Sequence, residues 1–162
     1  MKTTKKVVYF GIGIALYAVL GMSVNIPLIG HIQTDLGYIA YGVFLYLFGV
    51  PAFITGTIGC IIESMIVSGW FPTGWMIGQI VIGLICGFIY KKTNNKLFHV
   101  LATIIAVFIG VGLIKTVIEC YLYTIPFPIK FVRNFIAFLS DVVPMIVGLF
   151  IGYGLKKRNI AN

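Results

Sequence analysis

Charge is what this sequence has least of. Of its 162 residues only 10% are charged, and just 4 are Asp or Glu. A soluble domain carries roughly a quarter charged residues, so that class is excluded. Cysteine is sparse too. Cys60, Cys86 and Cys120 are odd in number and all fall in apolar segments, with neither a metal-type spacing nor a disulfide framework.

Catalytic and nucleotide-binding signatures are also missing. The stretch "GLIKT" ends like a phosphate-binding loop but lacks the glycine before its lysine and the G-x-x-x-x-G-K-[ST] frame. Neither H-E-x-x-H nor G-x-S-x-G occurs. His31 and His99 fall on opposite membrane sides in the topology derived below, so they cannot share a metal. His31, in an outer loop, is a candidate ligand contact; His99 reads as interfacial. The expectation is no enzyme, no cofactor and no metal. Any active transport must draw its energy from a partner.

What the chain does have is apolar length. Hydrophobic residues make up 60% of it, and the mean hydropathy is +1.06. Apolar stretches cover about 7–24, 36–67, 74–90, 97–125 and 132–155. Several reach the ~20 residues that a membrane crossing needs. The N-terminus "MKTTKKVVYFGIGIALYAVLGMS" begins like a signal peptide, but its apolar run is long for one and no A-x-A site follows. It reads as a mature helix. No linker or repeat divides the chain, so 1–162 is expected to be one transmembrane domain.

The net charge of +8 sits where topology signals sit. Lys2, Lys5 and Lys6 precede the first apolar run; Lys91, Lys92 and Lys96 share one loop; Lys156, Lys157 and Arg158 follow the last run. Basic clusters that border spans face the cytoplasm and an anionic lipid surface, which argues against nucleic acid as partner. If the first two clusters are both cytoplasmic, an even number of spans separates them. The run 36–67 is too long for one crossing and contains "LFGVPAF", where Gly49 and Pro51 can make a tight turn. Splitting it satisfies parity. The expectation is an all-α protein: a compact bundle of six transmembrane helices with both termini cytoplasmic. Its outer loops are 25–37, 68–74 and 124–131, rich in Pro, Gly and aromatics. Trp70, Phe71, Trp75, Phe127 and Phe131 suit an interfacial aromatic belt and equally a lid over a small-molecule site.

That topology fixes the depth of each embedded polar residue. Glu63 falls near the outer end of the third helix and Gln79 near that of the fourth, one turn from Trp75. Lys115 and Glu119 occupy the outer half of the fifth. Asn134 and Asp141, seven residues apart and so on one face, occupy the outer half of the sixth. A charge at the centre of a membrane helix costs about 2.5–3.5 kcal/mol, and such charges face cavities and pair with one another. Sorting by depth points to a polar cavity open to the outer leaflet, with Glu63, Trp75, Gln79, Lys115, Glu119, Asn134 and Asp141 as candidate ligand contacts. The bland alternatives are a salt-bridge network that only fixes helix register and, for Lys115, snorkelling. Pro144 removes a backbone donor beside Asp141 and is expected to kink the sixth helix.

Small residues form stripes at helical spacing. Gly83 with Gly87, and Gly148 with Gly152, suit close packing inside the bundle. Gly11, Ala15 and Ala18 share one stripe of a first helix that has no membrane-depth charge. That stripe suits docking to another membrane protein.

On these residues the chain resembles an S component, the substrate-capturing membrane subunit of an energy-coupling factor (ECF) transporter. The resemblance covers nearly the whole chain. It rests on short length, six helices, termini inside and the basic loop between the fourth and fifth helices. The Gly11, Ala15 and Ala18 stripe, and the segments "QTDLGYIAYGVFLYLFGVPAFITG" and "GWFPTGWMIGQIVIGLICGFIYKK", belong to it as well. The stripe departs mildly from the family pattern, with Gly11 where Ala is usual. The resemblance implies capture of a vitamin or related micronutrient beneath the outer loops of a bacterial plasma-membrane protein. It also implies docking through the stripe on a transmembrane coupling protein driven by two ATPase subunits, and delivery by toppling. Riboflavin, thiamine-like, pyridoxine-like and queuosine-precursor ligands all stay open. So do two other classes: a non-transport assembly or regulatory subunit, and a small self-sufficient carrier or channel. Co-purification with ATPases separates them.

Overall fold

The computed structural model describes residues 3–23, 26–27 and 33–158. Helix α1 (Thr3–Ser23) leads into a minimal antiparallel pairing of β1 (Ile26–Pro27) with β2 (Gln33–Thr34). Then follow α2 (Gly37–Phe48), a 3-10 turn at Val50–Ala52, α3 (Phe53–Ser68) and α4 (Thr73–Lys92). A continuous rod, α5 (Lys96–Tyr123), and the long α6 (Phe127–Lys157) complete the chain. Among the described residues the fold is all-α apart from that one pairing.

Local chemistry places the breaks. Gly49 has φ 73°, a left-handed backbone that only glycine takes up freely, and Pro51 opens the 3-10 turn behind it. The apolar run 36–67 is therefore divided where its sequence allows. Gly69, with φ 69°, ends α3, and Thr124 ends α5 in the same left-handed region. Asn95 caps α5, its side chain accepting a hydrogen bond from the Leu97 amide at 2.9 Å.

One boundary differs from the sequence expectation. The outer segment 124–131 shrinks, because α6 already begins at Phe127 and carries Pro128 in its first turn. Proline is tolerated there since the first amides of a helix have no intrahelical partner. Pro144 lies inside α6, which runs on to Lys157. The six expected helices are present among the described residues. Five helices (α1, α3, α4, α5 and α6) are long and apolar enough to span a membrane. Helix α2 has 12 residues, roughly 18 Å at 1.5 Å per residue, short of a ~30 Å hydrocarbon core.

Helix α2 is buried in the core. Tyr38, Tyr41 and Leu45 are fully buried, together with Tyr17 of α1, Ile82 of α4 and Met145 and Leu149 of α6. It packs on α6 backbone to backbone: a Cβ at Gly42 would meet Met145 O, and one at Gly148 would meet Ile39 O. Gly83 and Gly87 sit likewise against Phe53 and the Val50 backbone. These stripes serve packing within the bundle. Many other large apolar side chains, among them Val7, Phe88, Ile105, Val143 and Phe150, are exposed on the outside, as lipid contact requires.

One helical irregularity was not legible in the sequence. Residues Phe108–Lys115 of α5 form a π-helix. Gly110 lies against Gly78 O of α4, and Thr116 donates to Gly112 O at 2.6 Å. Wide turns of this kind recur at functional sites. This one ends on Lys115.

Candidate functional site

A cavity of about 270 Å³ opens at one end of the bundle, where α1, α3 and α5 finish and α4 and α6 start. The basic clusters at Lys91, Lys92, Lys96, Lys156 and Lys157 lie at the other ends of α4, α5 and α6. Its wall includes Glu63, Trp75, Lys115, Glu119 and Asn134 from the sequence candidates.

Lys115 is the centre of this wall and only 5% exposed. Its ammonium donates to Asn134 Oδ1 at 2.7 Å and lies 3.7 Å from the ring centroid of Trp75. Glu119 Oε2 is further away, at 3.8 Å. A cation over a desolvated indole gains about 2 kcal/mol, comparable to the cost of burying it. The shorter ion pair of Glu119 is with Lys130, at 3.1 Å. Asn134 links the group, its Nδ2 donating to Thr116 Oγ1 at 3.0 Å and to Glu119 Oε2 at 3.1 Å. Both amide protons and the carbonyl of Asn134 are thus used.

The other candidates are held differently. Gln79 is fully buried and is not part of the cavity wall. Its Nε2 donates to Tyr17 Oη at 3.0 Å, and Tyr17 donates to Asp35 Oδ2 at 2.6 Å. Gln79 therefore acts on the cavity through Tyr17. Asp141, 1% exposed, also lies off the wall; Ser140 donates to its Oδ1 at 3.3 Å, and its Oδ2 has no partner among the described residues. Trp70 and Phe71 are exposed at 74% and 51% and face outward. Trp75 is the one aromatic side chain in the wall among the described residues.

Asp35, Lys130 and Arg133 also line the cavity, and sequence reasoning passed over them. The signal for Lys130 existed. It stands four residues before Asn134, on the same helical face, but the prolines at 126 and 128 suggested a loop. Asp35 sits just before α2, where its Oδ1 accepts from the Gly37 amide at 2.7 Å. Burial pushes its carboxyl up to about 6, against the lowering effect of the hydrogen bonds from Tyr17 and Gly37. Gly21 makes room for Glu63: a Cβ at 21 would meet the Glu63 carboxyl carbon at 2.5 Å.

Elsewhere, His99 is buried within the bundle, near the start of α5. It is 1% exposed, its Nδ1 paired with the Tyr153 hydroxyl and its Nε2 2.8 Å from Thr93 O. His31 lies outside the described residues. In the first helix Gly11 and Ala15 are exposed, whereas Ala18 is 4% exposed and buried. The cysteines are free, and no cluster of metal-ligating side chains occurs among the described residues.

A bundle of apolar helices with a charged cavity at one end defines a polytopic membrane protein. The family model described as "ECF-type riboflavin transporter, S component" matches residues 1–158. The chain belongs to that family. It is accordingly a multi-pass cell-membrane protein of a transport system, in a family that is not one of enzymes. A UPF0397 protein of Streptococcus agalactiae is 30% identical over 159 residues, covering 90% of this chain and 86% of that protein. One from Streptococcus thermophilus is 25% identical over 154 residues, covering 89% and 85%.

Proposed function

We propose that this chain is the substrate-capturing subunit of an ECF-type importer. It binds a vitamin or related micronutrient from the extracellular side, in the cavity around Lys115, with both termini and the Lys91–Lys96 loop in the cytoplasm. Helix α2, short as it is, makes the sixth crossing together with the loops at its ends. Delivery follows when the subunit topples on a transmembrane coupling protein driven by two ATPase subunits, docked through Gly11 and Ala15. The observation that carries this reading is the sorting of charge. Asp35, Glu63, Glu119 and Lys115 gather at one cavity, while the topogenic lysines gather at the far end. Buried charges of both signs around an open space are costly unless a ligand uses them. Riboflavin, which the family description names, is the reference compound for binding measurements.

The test is affinity purification of the tagged chain from its own membranes in mild detergent. The expected result is recovery of a membrane coupling protein and two ATPases in stoichiometric amounts. Recovery of the chain alone, from cells that express such a module, overturns the proposal.

A further inference from the structure

At the end of the bundle away from Lys115, part of the basic charge is gathered into a second, open pocket of about 380 Å³. Lys96 of α5 and Lys156 and Lys157 of α6 line it, with Tyr46 of α2 and Tyr153 and Gly154 of α6. Its aromatic floor is fixed. The Tyr46 and Tyr153 rings lie 4.4 Å apart, and the buried His99 ring stacks on Tyr153 at 5.8 Å. His99 Nε2 stands 2.8 Å from Thr93 O, which can only accept. In the neutral imidazole Nδ1 therefore accepts from the Tyr153 hydroxyl. Tyr153 is held by its face and by its hydroxyl.

Two ammonium groups are positioned over this floor. Lys96 lies 5.5 Å from the Tyr153 ring centroid, and Lys156 lies 5.3 Å from that of Tyr46. With Lys157 this makes three cations at one pocket, and none has an ion-pair partner among the described residues. The chain has only 4 acidic side chains. Asp35, Glu63 and Glu119 line the other cavity, and Asp141 is buried inside the bundle. Like charges brought together repel, and no acidic side chain is there to offset them. An anion from outside the chain would.

The pocket also opens onto the lipid-facing side of α6. Gly154 is exposed, with nothing within 4 Å of where a Cβ would stand. Val143, Val147 and Phe150 precede it on the same helical face, and all three are exposed. The Phe150 ring lies 6.0 Å from that of Tyr153, so apolar stripe and pocket floor are continuous. The stretch 143–154 rises ~16 Å at 1.5 Å per residue, about half of a ~30 Å hydrocarbon core. A soluble anion uses the pocket alone. A phospholipid uses the pocket and the stripe.

We propose that this pocket binds the headgroup of an acidic phospholipid, with its phosphate against Lys96, Lys156 and Lys157 and an acyl chain along Phe150, Val147 and Val143. Basic pockets between helices at a membrane surface hold anionic headgroups in this way. A zwitterionic lipid brings its own cation to the phosphate and is bound less tightly. The site is separate from the Lys115 cavity and does not depend on what that cavity carries.

Native mass spectrometry of the purified, delipidated chain tests this, with phosphatidylglycerol, phosphatidylcholine or glycerol 3-phosphate added. Phosphatidylglycerol should bind one-to-one, at least ten-fold more tightly than phosphatidylcholine, and glycerol 3-phosphate should leave no adduct at the same concentrations. Lys96→Gln combined with Lys156→Gln, both at exposed positions, should remove that preference. Lys91→Gln combined with Lys92→Gln removes the same charge at the same end of the bundle, outside the pocket, and should keep it. Gly154→Leu fills the pocket without changing charge and should weaken phosphatidylglycerol at least ten-fold. Equal losses in the two lysine pairs, or unchanged binding by Gly154→Leu, would leave only a general attraction between a basic surface and acidic lipid and overturn the proposal. Equal affinity for phosphatidylcholine also overturns it. So do glycerol 3-phosphate adducts as strong as those of the lipid, which would make the site one for a soluble phosphate.

Discussion

Lys115 of α5 donates to Asn134 of α6 at 2.7 Å, and the same Asn134 amide donates to Glu119, one turn along α5. A neutral side chain thus joins two opposite charges that stand 3.8 Å apart. Replacing Asn134 by Ala leaves an ammonium, a carboxylate and the Thr116 hydroxyl short of partners at once. The expected loss is about 1–3 kcal/mol, the cost of one unsatisfied buried group, or more. Thermal unfolding in detergent reads it. Asn134→Asp, which keeps the acceptor for Lys115 but loses both donors, should recover part of that loss.

How far this pairing was legible is instructive. Lys115, Glu119 and Asn134 stood out because charge is expensive at membrane depth, and depth follows from counting spans. The divided run 36–67 was readable from Gly49 and Pro51. Lys130 was not, because two prolines mark a loop as readily as a helix start. Gln79 and Asp141 share the depth of the cavity but not its surface, and depth alone does not tell a wall from the packing behind it. The π-helix before Lys115 depends on contacts with Gly78 across the bundle, which no local pattern announces.

The approach of α2 to α6 predicts a sharp contrast between glycines. Gly148→Ala and Gly42→Ala force a methyl group onto backbone of the facing helix, and overpacking of this kind costs about 1–3 kcal/mol or more. Gly154→Ala, where nothing lies within 4 Å, should be neutral or slightly stabilising. Melting temperatures of the three variants check the ranking. Equal tolerance at Gly148 and Gly154 would mean that α2 does not lie where it is described.

Asp35 predicts a pH dependence. Its carboxyl is raised from 3.8 to about 6, so the folded state holds its proton more tightly than the unfolded chain does. The stabilisation this brings is fully present below pH ~4 and is lost as pH rises through about 6. Two units correspond to on the order of 3 kcal/mol. The difference in stability between wild type and Asp35→Asn, measured by thermal unfolding from pH 4 to 7, should therefore shift in favour of Asn as pH rises. A difference that does not vary over that range would contradict the assignment.

The exposed stripe of α1 predicts a separation of functions. Ala15→Leu should abolish uptake and recovery of the coupling protein while leaving melting temperature and ligand retention unchanged. Ala18, buried against the bundle, should instead cost stability when enlarged. If Ala15→Leu loses ligand retention together with docking, the stripe does not act as a separate docking face.

The central claim is that the charged cavity around Lys115 holds a ligand. Native mass spectrometry of the chain purified from its own membranes tests it most directly, with Lys115→Met measured alongside. Met keeps the length and apolarity of the buried stem while removing the charge. The account predicts a one-to-one small-molecule adduct on the wild type that is absent from a folded Lys115→Met protein. The same adduct on both, or none on the wild type, would contradict it.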